Sequence, residues 1–371
     1  MSSMMALLFP RWLRPNRLIL FAVLLSLGYA AYRCPMRECS ACLPAVVHDA
    51  PGVGFDLTIS YGTSAVHMYG GSIVDIAKVP ANPDYIELML RLAHAPPPPP
   101  QSKYQRYLRW FNKKLGYPST PDVGILSSLI ADLYKATQSA LPAYPMDRVV
   151  VTTPLLPALT SEDLNDAIEY AGLRSWLAYS FPYPKILSES RAVFAANGNG
   201  LCKTYKYLYE CQDEEQRMPG HSVYTITFTR QALYTTLDTF RSAFKYTSDT
   251  EIYLMDFNSG LDSLPTYTSP SDFWTPITKL LLAGESATDA KFLDVLRDSL
   301  AELVGPSAET TLAADLDANK LADPVFAAAR GAALYARRRQ ETPQGCAEHE
   351  RCEAERQWER ERGAGGREEL R

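Results

Sequence analysis

Three absences narrow the function of this 371-residue chain before any motif is weighed. It contains no G-x-S-x-G elbow, no H-E-x-x-H pair and no intact G-x-x-x-x-G-K-[ST] loop. Serine-hydrolase, zinc-protease and ordinary P-loop chemistries therefore lack their parts. Histidine is scarce at five residues, and His67 and His221 stand alone on strand-like runs, where a packed or turn role suits them better than catalysis. A basic excess is missing too: 37 Lys and Arg against 42 Asp and Glu leave a formal charge of −5, which argues against nucleic acid as a partner. No Asn-x-Ser/Thr sequon occurs, which disfavours a glycosylated extracellular domain.

What is present is a globular composition, 46% hydrophobic and 21% charged, in a chain long enough for one large or two medium cores. The N-terminus carries an address. Arg11, Arg14 and Arg17 in a basic region (1–17) precede an uncharged stretch, Leu18 to Tyr32, closed by Arg33. At helical rise that stretch reaches only about 22 Å against a hydrocarbon core of roughly 30 Å, so flanking arginines must snorkel if it spans. The favoured reading is a transmembrane signal anchor over 18–32, followed by a linker over 33–50. The charge bias would place the bulk of the chain in the lumen of the secretory pathway, the endoplasmic reticulum first, or outside the cell. A cleaved signal ending near Gly28-Tyr29-Ala30, or a mitochondrial address, is the alternative.

Seven cysteines leave at least one without an intrachain partner. Cys202 and Cys211 flank a strand-like run and would close a hairpin in an oxidising compartment. Cys34, Cys39 and Cys42, or Cys346, His349 and Cys352, are zinc candidates that each lack a fourth ligand at a recognised spacing.

From residue 50 the hydropathy pattern turns α/β. Val53 to Leu57 and Ser64 to Tyr69 read as a hairpin presenting Asp56 at its turn, with a third strand over Ser72 to Val79. A helix over Tyr85 to Ala93 is followed by Pro96 to Pro100, an extended spacer. Lys103 to Lys114 interleaves cations with aromatics. Its plain reading is an amphipathic helix with Leu108 and Phe111 packed inward, and its second is a surface for anionic lipid or nucleic acid. A helix over Ile125 to Leu141, a strand from Asp147 to Pro154 and a helix capped at Thr160 to Asp163 come next. Two small-residue runs, Val193 to Gly198 and Val325 to Gly331, close two similar series of elements, and they predict a pair of lobes whose helices approach closely across a cleft.

In this order the segments resemble the actin, sugar-kinase and heat-shock-chaperone superfamily, most closely the nucleotide-binding domain of the seventy-kilodalton heat-shock chaperones. Gly54 to Gly62 stands where that family has its first phosphate hairpin, G-I-D-L-G-T-T-Y-S. Val149 to Pro154 with Ser161 to Leu173 stands for the following strand and capped helix, and Ser188 to Gly198 for the first crossing helix. Leu280 to Ser286 with Lys291 to Leu300 is similar to the adenosine motif, and Asp323 to Arg337 to the second crossing helix. The likeness covers roughly residues 52 to 338. It implies a two-lobed, ribonuclease H-like fold with mixed five-stranded sheets behind the hydrophobic N-terminal helix, with lobe I over 51–200 and lobe II over 201–338. Composition reads 339–371 as a charged disordered or helical tail.

The resemblance further implies Asp56 and Glu189 as metal and phosphate candidates, Tyr61, Gly284 and Ser286 as nucleotide candidates, and ATP with magnesium as the cofactors to test. The departures matter as much. Thr58 replaces the first phosphate-loop glycine, Glu285 replaces the middle glycine of the adenosine motif, and Gln212 to Gly220 stands where the second hairpin is expected, without a tight glycine turn. The expected function is a membrane-anchored pseudo-ATPase that serves as a binding or scaffold module for an unknown protein partner. The alternative is a weak ATP-binding or ATP-hydrolysing chaperone-like protein without a peptide-binding domain.

Overall fold

Continuous apolar runs such as Gly52 to Leu57 and Arg148 to Thr153 suit strands buried on both faces, and the computed structural model makes them the centre of a sheet. It describes residues 38–144, 146–177, 186–244, 256–258, 277–304, 322–342 and 346–368. The basic region 1–17, the expected anchor 18–32 and the start of the linker lie outside these residues. No helix among the described residues is long and apolar enough to cross a membrane.

The chain opens with α1 (Ala45–His48), then β1 (Gly52–Leu57), β2 (Tyr61–His67) and β3 (Ile73–Pro80). There follow α2 (Pro83–His94), α3 (Lys103–Lys114), α4 (Pro121–Ala140), β4 (Arg148–Thr153), α5 (Ser161–Tyr170), β5 (Arg174–Ser175) and β6 (Leu187–Ser188). The expected cap at Thr160 holds, its side chain accepting a hydrogen bond from the first turn of α5, and the side chains of Asn82 and Thr120 cap α2 and α4 in the same way. The first sheet runs β3-β2-β1-β4-β5, with β6 also on β4. It is mixed, β1 being antiparallel to β2 and parallel to β4. Five strands were expected and six are present, because two short pieces share one edge: Arg148 and Val149 of β4 pair with β5, and Thr152 and Thr153 pair with β6.

After α6 (Glu189–Ala196) and α7 (Leu208–Arg217), the second sheet is built from β7 (His221–Phe228), β8 (Leu233–Phe240), β9 (Asp256–Asn258) and β10 (Lys279–Ala283). Among the described residues it has four strands in the order β10-β7-β8-β9, with β7 antiparallel to β8 and parallel to β10. Strand order and sense therefore repeat the first sheet, β7 standing for β1. The chain ends with α8 (Ala290–Val304), α9 (Ala327–Glu341) and α10 (Arg351–Glu368).

The small-residue helices do what their composition predicts. A Cβ on Gly331 of α9 would lie 1.9 Å from the Ala192 carbonyl oxygen of α6, and one on Gly54 of β1 would lie 2.2 Å from the Ala333 amide nitrogen. Bare backbone at these points lets α9 cross both β1 and α6. Val150 of the first sheet shares one apolar cluster with Phe194, Val223, Leu281, Ala332 and Tyr335, so the core passes through α6 and α9 from sheet to sheet.

Several expectations are corrected. Asp56 lies within β1 opposite Thr63, not at the hairpin turn. Gln212 to Arg217 belongs to helix α7, whose segment bears Cys211, so the Cys202–Cys211 disulfide ties a loop residue to a helix and closes no hairpin. On α3, Leu108 and Phe111 are exposed and Arg109 is the buried side chain, because Asp163 and Asp166 on α5 take its guanidinium at 2.6 Å each. Of the two readings of the tail, the helical one holds over Arg351–Glu368. Disulfides Cys39–Cys346 and Cys42–Cys352 tether it, which also removes those four sulfurs from either zinc set. Arg356 then pairs with Glu348 at 2.8 Å and Arg360 with Asp49 at 2.7 Å, seating α10 beside α1.

Candidate functional site

The turns of the two repeated hairpins, β1–β2 and β7–β8, are each closed by their own threonine. In the first, the Thr58 amide donates to the Tyr61 carbonyl at 2.9 Å. Its Oγ1 donates to the same carbonyl at 2.7 Å and accepts from the Tyr61 amide at 3.1 Å and the Ser60 amide at 3.3 Å. In the second, the Thr229 amide donates to the Ala232 carbonyl at 2.9 Å. Its Oγ1 donates to that carbonyl at 3.1 Å and accepts from the Ala232 amide at 3.0 Å. A threonine hydroxyl oxygen thus occupies amides of both turns, leaving those N–H groups no free direction toward an anion. The second hairpin lies at Thr229–Ala232 and not at Gln212 to Gly220, since the strand that must precede it, β7, begins only at His221.

Asp56 and Glu189 come together as a buried acid pair. Asp56, 2% exposed, accepts a hydrogen bond from the Thr152 hydroxyl at 2.8 Å. Burial first, and then the charge of Glu189, holds its carboxyl well above the usual carboxylate range, against the Thr152 hydrogen bond. Glu189 begins α6 and accepts from the Tyr234 hydroxyl at 2.8 Å and the Thr227 hydroxyl at 2.9 Å. Burial outweighs these two donors and pushes it up to about 7. The repeat explains why the pair stops at two. Asp56 stands two residues before Thr58, and the matching position before Thr229 is Thr227, a hydroxyl where a further carboxylate would stand. Among the described residues no three His, Cys, Asp or Glu ligand atoms converge at this pair.

Among the described residues, the space beside Glu189 is small. The cavity bordered by Pro154, Glu189, Thr227 and Tyr234 measures about 10 Å³, room for about one water, whereas pockets for small ligands run to roughly 300 Å³ and more. Tyr61, a nucleotide candidate, is buried, with Lys78 Nζ 4.4 Å from its ring centroid. Lys78, on β3 of the first sheet, forms an ion pair with Glu285, which follows β10 of the second; Arg230 of the second hairpin approaches the same carboxylate at 3.6 Å. Glu285 thereby bridges the two sheets.

Gly284 adopts a left-handed φ of 96°, and a Cβ there would meet the Phe228 carbonyl oxygen at 2.2 Å. Its amide donates to the Pro324 carbonyl at 3.0 Å, and the Ser286 amide donates to Phe228 at 2.9 Å, so both candidate amides are spent on the fold. Lys78, Thr227, Tyr234 and Arg230 were missed in the sequence. A repeat of the Thr-x-x-x spacing, Thr58 to Tyr61 and Thr229 to Ala232, was the available signal for the second hairpin.

The chain matches no protein-family model, and no curated protein sequence matches it.

Proposed function

We propose that the chain has an actin-like ATPase fold of the heat-shock-chaperone type whose cleft has closed on its own side chains, and that it works as a non-catalytic binding or scaffold module held at a membrane. The observation that carries this reading is the self-capping of both hairpins by Thr58 and Thr229. The repeated strand order across the two sheets and the crossing of α6 by α9 at Gly331 support the fold assignment. The 10 Å³ cavity and the Lys78–Glu285 bridge support a closed cleft. The membrane part rests on the sequence of 18–32, and three disulfides favour an oxidising compartment such as the secretory lumen.

The test is the thermal midpoint of the purified full chain with and without millimolar Mg-ATP. A ligand at 100 times its Kd adds about 2.7 kcal/mol to a folded state that alone binds it. We expect no rise. A rise that Asp56→Asn abolishes would overturn the closed-cleft reading and install the ATP-binding alternative. Placement has its own test: a reporter fused after Arg371 that proves cytosolic would overturn the lumenal orientation.

A further inference from the structure

Helix α3 presents its apolar side to water. Helical spacing sets Tyr104, Tyr107, Leu108 and Phe111 on one stripe that Leu115 continues, and all five are exposed, Tyr104 at 68%. Trp110, 54% exposed, and Tyr117 widen it. The opposite side is fixed by charge. Arg109, 7% exposed, reaches Asp163 and Asp166, and Lys113 holds Asp166 at 2.7 Å and Glu169 at 2.6 Å. These pairs set the roll of the helix on α5, so the outward aromatic face is built in and does not result from a loosely packed helix. Tyr107 stacks on Phe111 with centroids 6.1 Å apart, which keeps the stripe continuous.

Lys103 and Lys114 border the stripe on its Tyr107 side, Arg106 lies next to Trp110 at the outer edge, and none of the three makes an ion pair with the described residues. They form a local positive fringe on a chain whose net charge is −5. Tyrosine and tryptophan beside lysine and arginine is the composition of groups that settle at a bilayer interface, rings at the headgroup level and cationic heads reaching phosphate. A single helix side is a strip rather than a groove, which suits a plane.

We propose that α3 is an interfacial helix that lies on an anionic bilayer surface, its aromatic stripe entering the headgroup boundary and Lys103, Arg106 and Lys114 pairing with lipid phosphates and carboxylates. This surface is separate from the closed cleft and stands whether or not that reading does.

The test uses the full chain reconstituted in vesicles whose acyl chains carry bromine, a short-range quencher of indole fluorescence. The vesicles are made of phosphatidylcholine with or without phosphatidylserine. The chain has five tryptophans, so the Trp110 signal is taken as the difference between wild type and Trp110→Phe. Quenching of Trp110 is expected with phosphatidylserine and much less without it. Each basic residue near an anionic surface is worth roughly five-fold in partition, so Lys103→Gln/Arg106→Gln/Lys114→Gln should lose roughly a hundred-fold and with it most of the signal. That variant leaves the Arg109 and Lys113 pairs in place and should keep the wild-type circular dichroism. Three results would overturn the proposal: no bromolipid quenching of Trp110, equal quenching with and without phosphatidylserine, or concentration-dependent shielding of Trp110 in lipid-free detergent, which assigns the face to a second copy of the chain.

Discussion

Replacing Glu189 by glutamine should change how stability depends on pH more than it changes stability at any acid pH. Glu189 is fully enclosed, and its folded pKa is about 7 against an ordinary value of 4.5. The unfolded chain releases this proton near 4.5 and the folded chain keeps it until about 7. Between those values the unfolded state binds fewer protons, so stability falls as pH rises, and above 7 the loss is complete. The interval of about 2.5 units corresponds to roughly 3 kcal/mol. Glutamine keeps the shape and can still accept from Tyr234 or Thr227, and it has no charge to bury. Urea unfolding of wild type and Glu189→Gln at steps from pH 4.5 to 8 reads the difference: His67, whose burial lowers its pKa and gives the opposite slope, cancels, while Asp56, relieved of the Glu189 charge that helps to raise it, adds a gain of the same sign. The variant should be no more stable than wild type near pH 4.5 and gain on it steadily up to pH 7, by about 3 kcal/mol. A constant offset across the range would refute the reasoning, since it would mean that Glu189 titrates normally in the folded chain.

Gly331→Ala puts a methyl against the Ala192 backbone, and although alanine favours a helix by up to about 1 kcal/mol, neither backbone can yield, so we expect a net loss of about 2 kcal/mol in thermal unfolding. Arg109→Ala strands Asp166 with Lys113 alone and should cost about 3 kcal/mol, again by thermal midpoint, with α3 losing its seat on α5. The terminal disulfides span 307 and 310 residues side by side, so once one is formed the other closes a loop of only about ten residues. In chain-entropy terms Cys39→Ser or Cys42→Ser alone should cost about 3 kcal/mol and the two together about 8, a super-additive loss that denaturant titration would show or refute.

The departures from sequence expectation have local causes. Periodicity placed α3 correctly but chose the wrong inner face. It ranks leucine and phenylalanine as core, and the acids that capture Arg109 lie more than fifty residues away on α5. The tail read as solvated because its arginines and glutamates look like a free charged helix. Its anchors, Cys39, Cys42 and Asp49, are at the other end of the chain. Asp56 and Glu189 were visible as candidates, but their mutual burial and the role of Thr227 depend on the superposition of two strand pairs.

By itself the sequence determined the α/β class, the cap of α5, the first hairpin and the close approach at the two small-residue helices. Each of these follows from periodicity, φ preference or side-chain volume within a few residues. Tertiary structure decided which groups share one space: that Thr229 repeats Thr58, that Glu285 meets Lys78 across the sheets, that Asp56 and Glu189 lose water together, and that α3 turns its rings outward. Those outcomes depend on contacts between distant segments, whose electrostatics and packing no local pattern encodes.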